Sequence, residues 1–375
     1  MVTLYWVCLF LGLYPYTVYP ILAALAAAVT DRRVQRGPHA PAVSVVISAY
    51  NEADCIEATV RNKLAQHYAG TLEVLVASDG SDDGTDAILE RLASEDGRVR
   101  WFRQARQGKT AALNRLVADA RGEIVVFSDA NSMYRPDTVA RLVETFADAT
   151  VGYVTGKMVY VNPDGSMVGD GCSAYMRYEN RLREIETRLG SVVGVDGGVD
   201  AVRRALYRPM RADQLPDFVL PLAVVEQGAR VVYAPEALLE EEALNEGSSE
   251  FRMRVRVALR ALWALKDNAS LLAGRRGWLF AWQLWSHKVL RYLSFAPLAA
   301  AVLHGVALVP LGPTYQLLTA LTALFFVLAA SGSAGLRLPG GRLCFYFVLV
   351  NAAGLIAFVR FSRGEKTVTW QRRLG

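Results

Sequence analysis

The residues best equipped for chemistry stand where apolar runs end. Ile124-Val125-Val126-Phe127 leads into Ser128-Asp129-Ala130-Asn131. This pattern predicts a strand buried on both faces whose carboxyl end turns polar, the place where open α/β sheets bind ligands. Asp129 offers a carboxylate and Asn131 an amide oxygen, both hard donors suited to a magnesium or manganese ion that bridges a diphosphate. The same residues also read as an ordinary Asx turn after a strand. Lys109 opens the run Gly108-Lys109-Thr110-Ala111-Ala112-Leu113-Asn114, Asp217 follows a proline in Leu215-Pro216-Asp217-Phe218, and Arg252, Arg256 and Arg260 recur every four positions, so they share one helix face.

The elements that must position these groups alternate between strand and helix. Ala42 to Ala49 reads as a buried strand ending in Tyr50-Asn51-Glu52, followed by a helix from Ala53 to Ala65 with Asn51 or Asp54 as cap. Leu72 to Ala77 is a second strand, ending in Ser78-Asp79-Gly80-Ser81-Asp82-Asp83-Gly84-Thr85. There Asp82, Asp83 and Asp86 read as the cap and first turn of the next helix, favourable at the positive end of its dipole. Val99 to Phe102 is a third, short strand. Strand-loop-helix units in succession imply a right-handed parallel sheet. Further on, Val151 to Gly156 and Met158 to Val161 read as separate strands of unreadable pairing, Tyr175 to Leu189 as a charged helix, and Gly194-Val195-Asp196-Gly197-Gly198 and Leu215 to Phe218 as loops. Arg230 to Ala234 reads as a strand and Glu240-Glu241-Glu242 as a solvated charge run.

Composition sets the surroundings. The chain has 375 residues, 53% of them hydrophobic, with a mean hydropathy of +0.20, and the apolar surplus lies at its two ends. This describes a membrane protein with a soluble middle. A net charge of +5 without lysine runs interleaved with aromatics sets nucleic acid aside. The four cysteines, Cys8, Cys55, Cys172 and Cys344, are far apart and lack zinc or redox spacing, which fits a reducing compartment. Leu4 to Val29 is long enough to cross a bilayer, with a kink at Pro15 or Pro20, and reads as an anchor rather than a removed signal. Asp31-Arg32-Arg33 and Arg36 after it place the next segment in the cytoplasm. Trp278 to Phe295 has the composition of an interfacial helix, with His287 at the membrane surface. Three more spans follow, from Leu293 to Val309, Tyr315 to Ala330 and Leu343 to Val359. Counted so, the tail with Arg363, Lys366, Arg372 and Arg373 falls outside, against the positive-inside rule; either one segment is re-entrant or interfacial, or the tail is an exception.

Together, a strand ending in Ala-Tyr-Asn-Glu, the Ser-Asp-Gly-Ser-Asp-Asp-Gly-Thr loop, the Gly-Lys-Thr-Ala-Ala-Leu-Asn helix start and Phe-Ser-Asp-Ala-Asn resemble the membrane-bound family 2 glycosyltransferases, related to cellulose, hyaluronan and poly-N-acetylglucosamine synthases. The resemblance covers roughly Val43 to Arg260. It implies an α/β nucleotide-sugar-binding fold, GT-A-like and Rossmann-related, with flanking transmembrane helices. The expected division is an anchor at 1–30, a cytoplasmic transferase domain at 42–245, interfacial helices at 246–292, transmembrane helices at 293–361 and a basic tail at 362–375. It further implies that Tyr50, Asn51, Glu52 and Asp79 hold the nucleoside, that Lys109 lies near the diphosphate, and that Asp129 and Asn131 bind Mg2+ or Mn2+ as the family's Asp-x-Asp, here with an amide in second place. Asp217 matches the general base, Gly197 and Gly198 the loop under the acceptor, and Arg256 the arginine of Gln-x-x-Arg-Trp. Met253 and Val257 stand where that motif has glutamine and tryptophan, which puts processivity in doubt.

The chemistry asks for the same set. Inverting sugar transfer needs a carboxylate to take the acceptor hydroxyl's proton, the part of Asp217. It also needs positive charge on the departing nucleoside diphosphate, the part of the ion at Asp129 with Lys109 and Arg256. The expectation is a transferase of the plasma or inner membrane, multi-pass, using a UDP-sugar and extending a polysaccharide, as in exopolysaccharide synthesis, beside membrane lipid and a polysaccharide-secretion partner. The rivals are single-sugar transfer to a lipid acceptor and a catalytically silent, nucleotide-binding scaffold subunit.

Overall fold

The computed structural model describes residues 1–161, 172–242, 247–336 and 338–366. Arg372 and Arg373 of the expected basic tail lie outside them. The chain forms two compact units, one centred on Met1–Leu25 and Glu246–Lys366, the other on Ala26–Gly169 and Met176–Asn245.

The second unit is built on an eight-stranded sheet. Its strands are β1 (Val43–Ala49), β2 (Leu72–Asp79), β3 (Val99–Gln104), β4 (Ile124–Asp129), β5 (Met133–Tyr134), β6 (Val151–Val161), β7 (Val199–Arg203) and β8 (Arg230–Glu242), in the order β3-β2-β1-β4-β7-β6-β8-β5. The first four are parallel, with Val43 opposite both Leu72 and Ile124 and Val74 opposite Val99. Helices Ile56–Leu64, Thr85–Glu95 and Lys109–Asp119 make the crossovers. All seven residues of β1 are buried, as a Val/Ile-rich strand covered on both faces requires. The parallel half ends its four strands at one edge, so Tyr50, Asp79 and Asp129 emerge together.

The other half departs from the expectation in four places. Val151–Val161 is one strand, not two: its register with β8 shifts between Val151 and Tyr153 and again between Thr155 and Lys157. Gly152 and Gly156 sit at those shifts because a side chain would strike Leu206 at 2.5 Å or the Ala237 carbonyl at 2.5 Å; they mark bulges where the sequence reads as a break. β8 continues past Ala234 to Glu242, with Pro235 falling in the gap of the ladder, where no N–H is needed. Glu240, expected to be solvated charge, is therefore a strand residue opposite Met133, and it holds Arg135 at 2.7 Å. Leu215 to Phe218 is not a loop: Pro216 starts the helix Pro216–Glu226, where its fixed φ suits the first turn, and puts Asp217 at the N-terminal end. β7, which follows the glycine-rich stretch, was not anticipated. It runs antiparallel between β4 and β6.

Near the start of the sequence, Val2–Leu13 and Val18–Thr30 are bent by 59° around Pro15. Pro313–Ser333 and Gly341–Ser362 are long and apolar enough to cross a membrane; Trp278–Leu293 with Phe295–Leu311, like the first pair, passes only as a pair bent by 57°. Leu303, Leu317 and Val327 are each more than 60% exposed, apolar surface that suits contact with lipid. His287, expected at the membrane surface, is buried, its ring 6.2 Å from that of Tyr19.

Candidate active site

The loops that follow β1 and β2 are clasped by their own side chains. Asn51 adopts φ +54°, a conformation asparagine tolerates better than most residues. From it, Nδ2 donates to Asp82 (2.8 Å) while the Asp82 N–H donates back to Oδ1 (3.0 Å). Asp83 receives the Ala53 N–H at 3.0 Å and the Thr85 N–H at 3.1 Å; it is not the expected cap, since the N-cap of Thr85–Glu95 is Gly84, whereas Asp86 does lie in the first turn. Asp79 is 1% exposed. Gln104 Nε2 and the Gln107 N–H donate to one of its oxygens and the Gly108 N–H to the other, all at 2.8 Å. Asp79 thus organises the turn that delivers Lys109. The Arg106 guanidinium in that turn lies 3.0 Å from the centre of the Tyr50 ring, a cation–π contact the sequence did not reveal.

Lys109 meets Asp129 directly, Nζ to Oδ1 at 2.6 Å. Burial works against the ammonium, but Asp129, Asp217 and Asp200 outweigh it and hold its proton affinity above the ordinary lysine range. Thr110 and Asn114 of the same helix fasten the segment leading to Asp217: Thr110 donates to the Gln214 carbonyl at 3.0 Å and Asn114 to that of Met210 at 2.7 Å. Beneath the Asp129 turn, fully buried Lys63 donates to the Ser132 carbonyl at 2.5 Å and to Asn62 at 3.0 Å. Burial drives its ammonium well below the usual range, only partly opposed by Asp129.

Asp129 and Asn131 present oxygens from one exposed turn, and Asp129 Oδ1 is engaged by Lys109. Among the described residues no cluster of three His, Cys, Asp or Glu side chains gathers that could hold a metal. One carboxylate oxygen plus an amide fits a hard divalent ion that takes its remaining ligands from phosphate and water, as Mg2+ does at substrate phosphates.

Gly197 and Gly198 pass close to two carboxylates. At Gly197, with φ +90°, a Cβ would stand 2.7 Å from Asp217 Oδ2; at Gly198 it would stand 3.8 Å from Asp129 Oδ2. Lys109, Phe127, Tyr153, Gly197 and Asp217 line one pocket. The loop is anchored by a buried ion pair, Arg183 to Asp196 at 2.7 Å, and by Glu186 accepting the Val193 N–H at 3.0 Å. Tyr134 ties it to β4, its hydroxyl 2.7 Å from the Phe127 carbonyl and 2.9 Å from that of Gly198.

A further acid, Asp200, lies on β7 opposite Phe127 and Thr155. It is 1% exposed, and neither oxygen has a hydrogen-bond partner among the described residues. Burial, reinforced by repulsion from Asp217 and Asp196, pushes its carboxyl up to about 7, against the pull of the nearby Thr155 and Tyr153 hydroxyls. An acid inside the apolar run Val199-Asp200-Ala201-Val202 was the available signal. Arg256 lies on the helix Gly247–Asp267 of the other unit.

This α/β site has the parts of a sugar-nucleotide transferase, and residues 44–204 match the family described as Glycosyl transferase family 2. The chain carries a glycosyl transferase family 2 domain. It is 30% identical over 168 residues to a β-monoglucosyldiacylglycerol synthase of Trichormus variabilis, an alignment covering 44% of this chain and 36% of that protein. To the chondroitin synthase of Pasteurella multocida it is 34% identical over 132 residues (35% and 14%), and to the succinoglycan biosynthesis protein ExoA of Rhizobium meliloti 34% over 143 residues (35% and 43%). The match thus spans well under half the length of these relatives. A mannosyltransferase from Pyrobaculum calidifontis, solved with GDP-Man and Mn2+, superposes over 96% of this chain and 99% of its own with a TM-score of 0.75 at 24% identity, which establishes a shared GT-A-like fold.

Proposed function

We propose that this protein is a membrane-bound, inverting glycosyltransferase that moves a sugar from a nucleoside-diphosphate sugar, a UDP-sugar in the leading reading, to a growing polysaccharide. The observation that carries this is a pocket lined by both Lys109 and Asp217, with Gly197–Gly198 running between Asp217 and Asp129. In this reading residues 42–245 are the transferase domain, facing the cytoplasm because Arg32, Arg33 and Arg36 follow the first apolar segment.

Asp217 takes the proton from the acceptor hydroxyl as its oxygen attacks the anomeric carbon, and the bond to the diphosphate breaks on the opposite face. Lys109 gives positive charge to the departing diphosphate. Tyr50, Asn51 and Glu52 border the nucleoside, and Asp79 holds the Lys109 turn in place. Mg2+ or Mn2+ held by Asp129 and Asn131 would supply Lewis-acid charge to the leaving group.

The second reading, one sugar passed to a lipid, is supported by the relationship to a glucolipid synthase and by the missing Gln-Trp pair. The test is nucleotide release by the purified protein in detergent, with UDP- and GDP-sugars, lipid extract and Mn2+ or Mg2+, beside Asp217→Asn. Turnover with one donor, lost in the variant and with chelator, establishes the transferase. A product that grows in steps supports the polymer, whereas one adduct that partitions into organic solvent supports the lipid. No turnover from folded protein with any donor would leave the scaffold reading, or a requirement for a secretion partner.

A further inference from the structure

The Asp-x-Asn turn, Lys109 and Asp217 leave one ionisable group near the pocket without a task. Asp200 is opposite Phe127 on β4 and Thr155 on β6, and residues directly opposite in a ladder project to the same face. Tyr153, two positions from Thr155 on that face, and Phe127 both line the pocket. Asp200 therefore lies under the pocket wall that holds Asp217, buried, with both oxygens unbonded among the described residues. A carboxyl is costly to bury without partners unless it carries a proton.

We propose that Asp200 is a positioning residue for sugar transfer, a buried acid on the same pocket wall as Asp217 whose state of protonation sets the charge under which Asp217 acts as base. This rests on the reading of Asp217 as the base. The charged and titratable groups that act on Asp200 or share its surroundings are Asp217 from helix Pro216–Glu226, Lys109 from helix Lys109–Asp119, Asp196 from the preceding loop, Tyr153 from β6 and Tyr134 from β5. Asp217 and Asp196 repel a charge on Asp200 and Lys109 attracts it. Two carboxylates that repel in this way lose their protons in two steps that belong to the pair. On raising the pH, the first loss frees one carboxylate. The second, near neutrality, leaves both charged and strengthens Asp217 as a proton acceptor.

The experiment is the pH profile of turnover, from about pH 5 to 9, for the wild type, Asp200→Asn, Asp200→Ala and Asp217→Asn. Wild-type turnover should show an inflection near neutrality. Both Asp200 variants should remain active within about tenfold and lack it, while Asp217→Asn should lose about 100-fold or more at every pH. If Asp217→Asn is inactive and the Asp200 variants keep the inflection, the pairing is wrong and the base assignment stands. If the Asp200 variants, shown to be folded, are inactive throughout, Asp200 is itself catalytic and its positioning role is overturned. An active Asp217→Asn would overturn the base assignment and the pairing together.

Discussion

Asp200→Asn should make the protein more stable, and more so as the pH rises. The carboxyl stands at about 7 in the folded chain against an ordinary value near 3.8. A carboxyl whose proton is held more tightly in the folded state costs nothing below the unfolded value; its penalty grows as the pH climbs from about 4 to 7 and is complete above that. Full ionisation is then worth about 4 kcal/mol against the fold, at about 1.4 kcal/mol per unit. The side chain is 1% exposed, so solvent screening takes little from this. Asparagine keeps the shape and never ionises. Its advantage over aspartate should therefore widen by about 2–3 kcal/mol between about pH 5 and pH 8. At roughly 2–4 °C per kcal/mol for a unit of this size, the difference in melting temperature should grow by about 5–10 °C. Intrinsic-fluorescence melts in detergent across that range measure it directly. Parallel curves for the two proteins, however far apart, would refute the claim that Asp200 holds its proton through burial.

Gly197→Ala places a methyl on Asp217 at a backbone angle alanine avoids; turnover should fall about 100-fold with the sheet intact by circular dichroism, since misplacing a reacting group by about an ångström costs that much. In Asp79→Asn an amide replaces an acceptor that takes three N–H groups, so the Lys109 turn should loosen, with a rise in donor KM and a loss of about 1–3 kcal/mol in denaturant titration. Arg183→Met strands Asp196 as a buried charge and should cost about 3–5 kcal/mol; a Tm equal to wild type would show that the loop does not depend on the pair. With Asp129 Oδ1 on Lys109 and an amide at 131, Mn2+ should bind weakly alone and much more tightly with nucleoside diphosphate, whose oxygens complete the shell; Mn2+ paramagnetic-resonance titrations with and without UDP or GDP decide, and equal affinities would exclude this order.

The parallel half of the sheet was legible because its information is local. Each strand is a continuous apolar run, each is followed by a polar loop and a helix, and handedness fixes the rest. The mixed half was not, because its determinants are contacts between distant residues. Gly156 looks like a strand end until the Ala237 carbonyl fills the space beside it. Pro235 looks like a strand end until its place in the ladder gap is known. The site follows the same division. Asp129, Asn131, Lys109 and Asp217 sit in short runs whose residue types carry chemistry on their face. What holds them does not: Asp79 works through a turn some thirty residues on, and the Arg183–Asp196 pair anchors a glycine-rich loop from a helix that precedes it. Asp200 is the sharpest case. A lone acid in a strand reads as an exposed position, and only β4 and β6 closing on either side make it a buried one. Substitution at such a position carries a physical consequence, since any group that ionises there changes the charge felt by Asp217. The residues that tune this site are thus the ones local pattern hides, and the ones that perform its chemistry are those it displays.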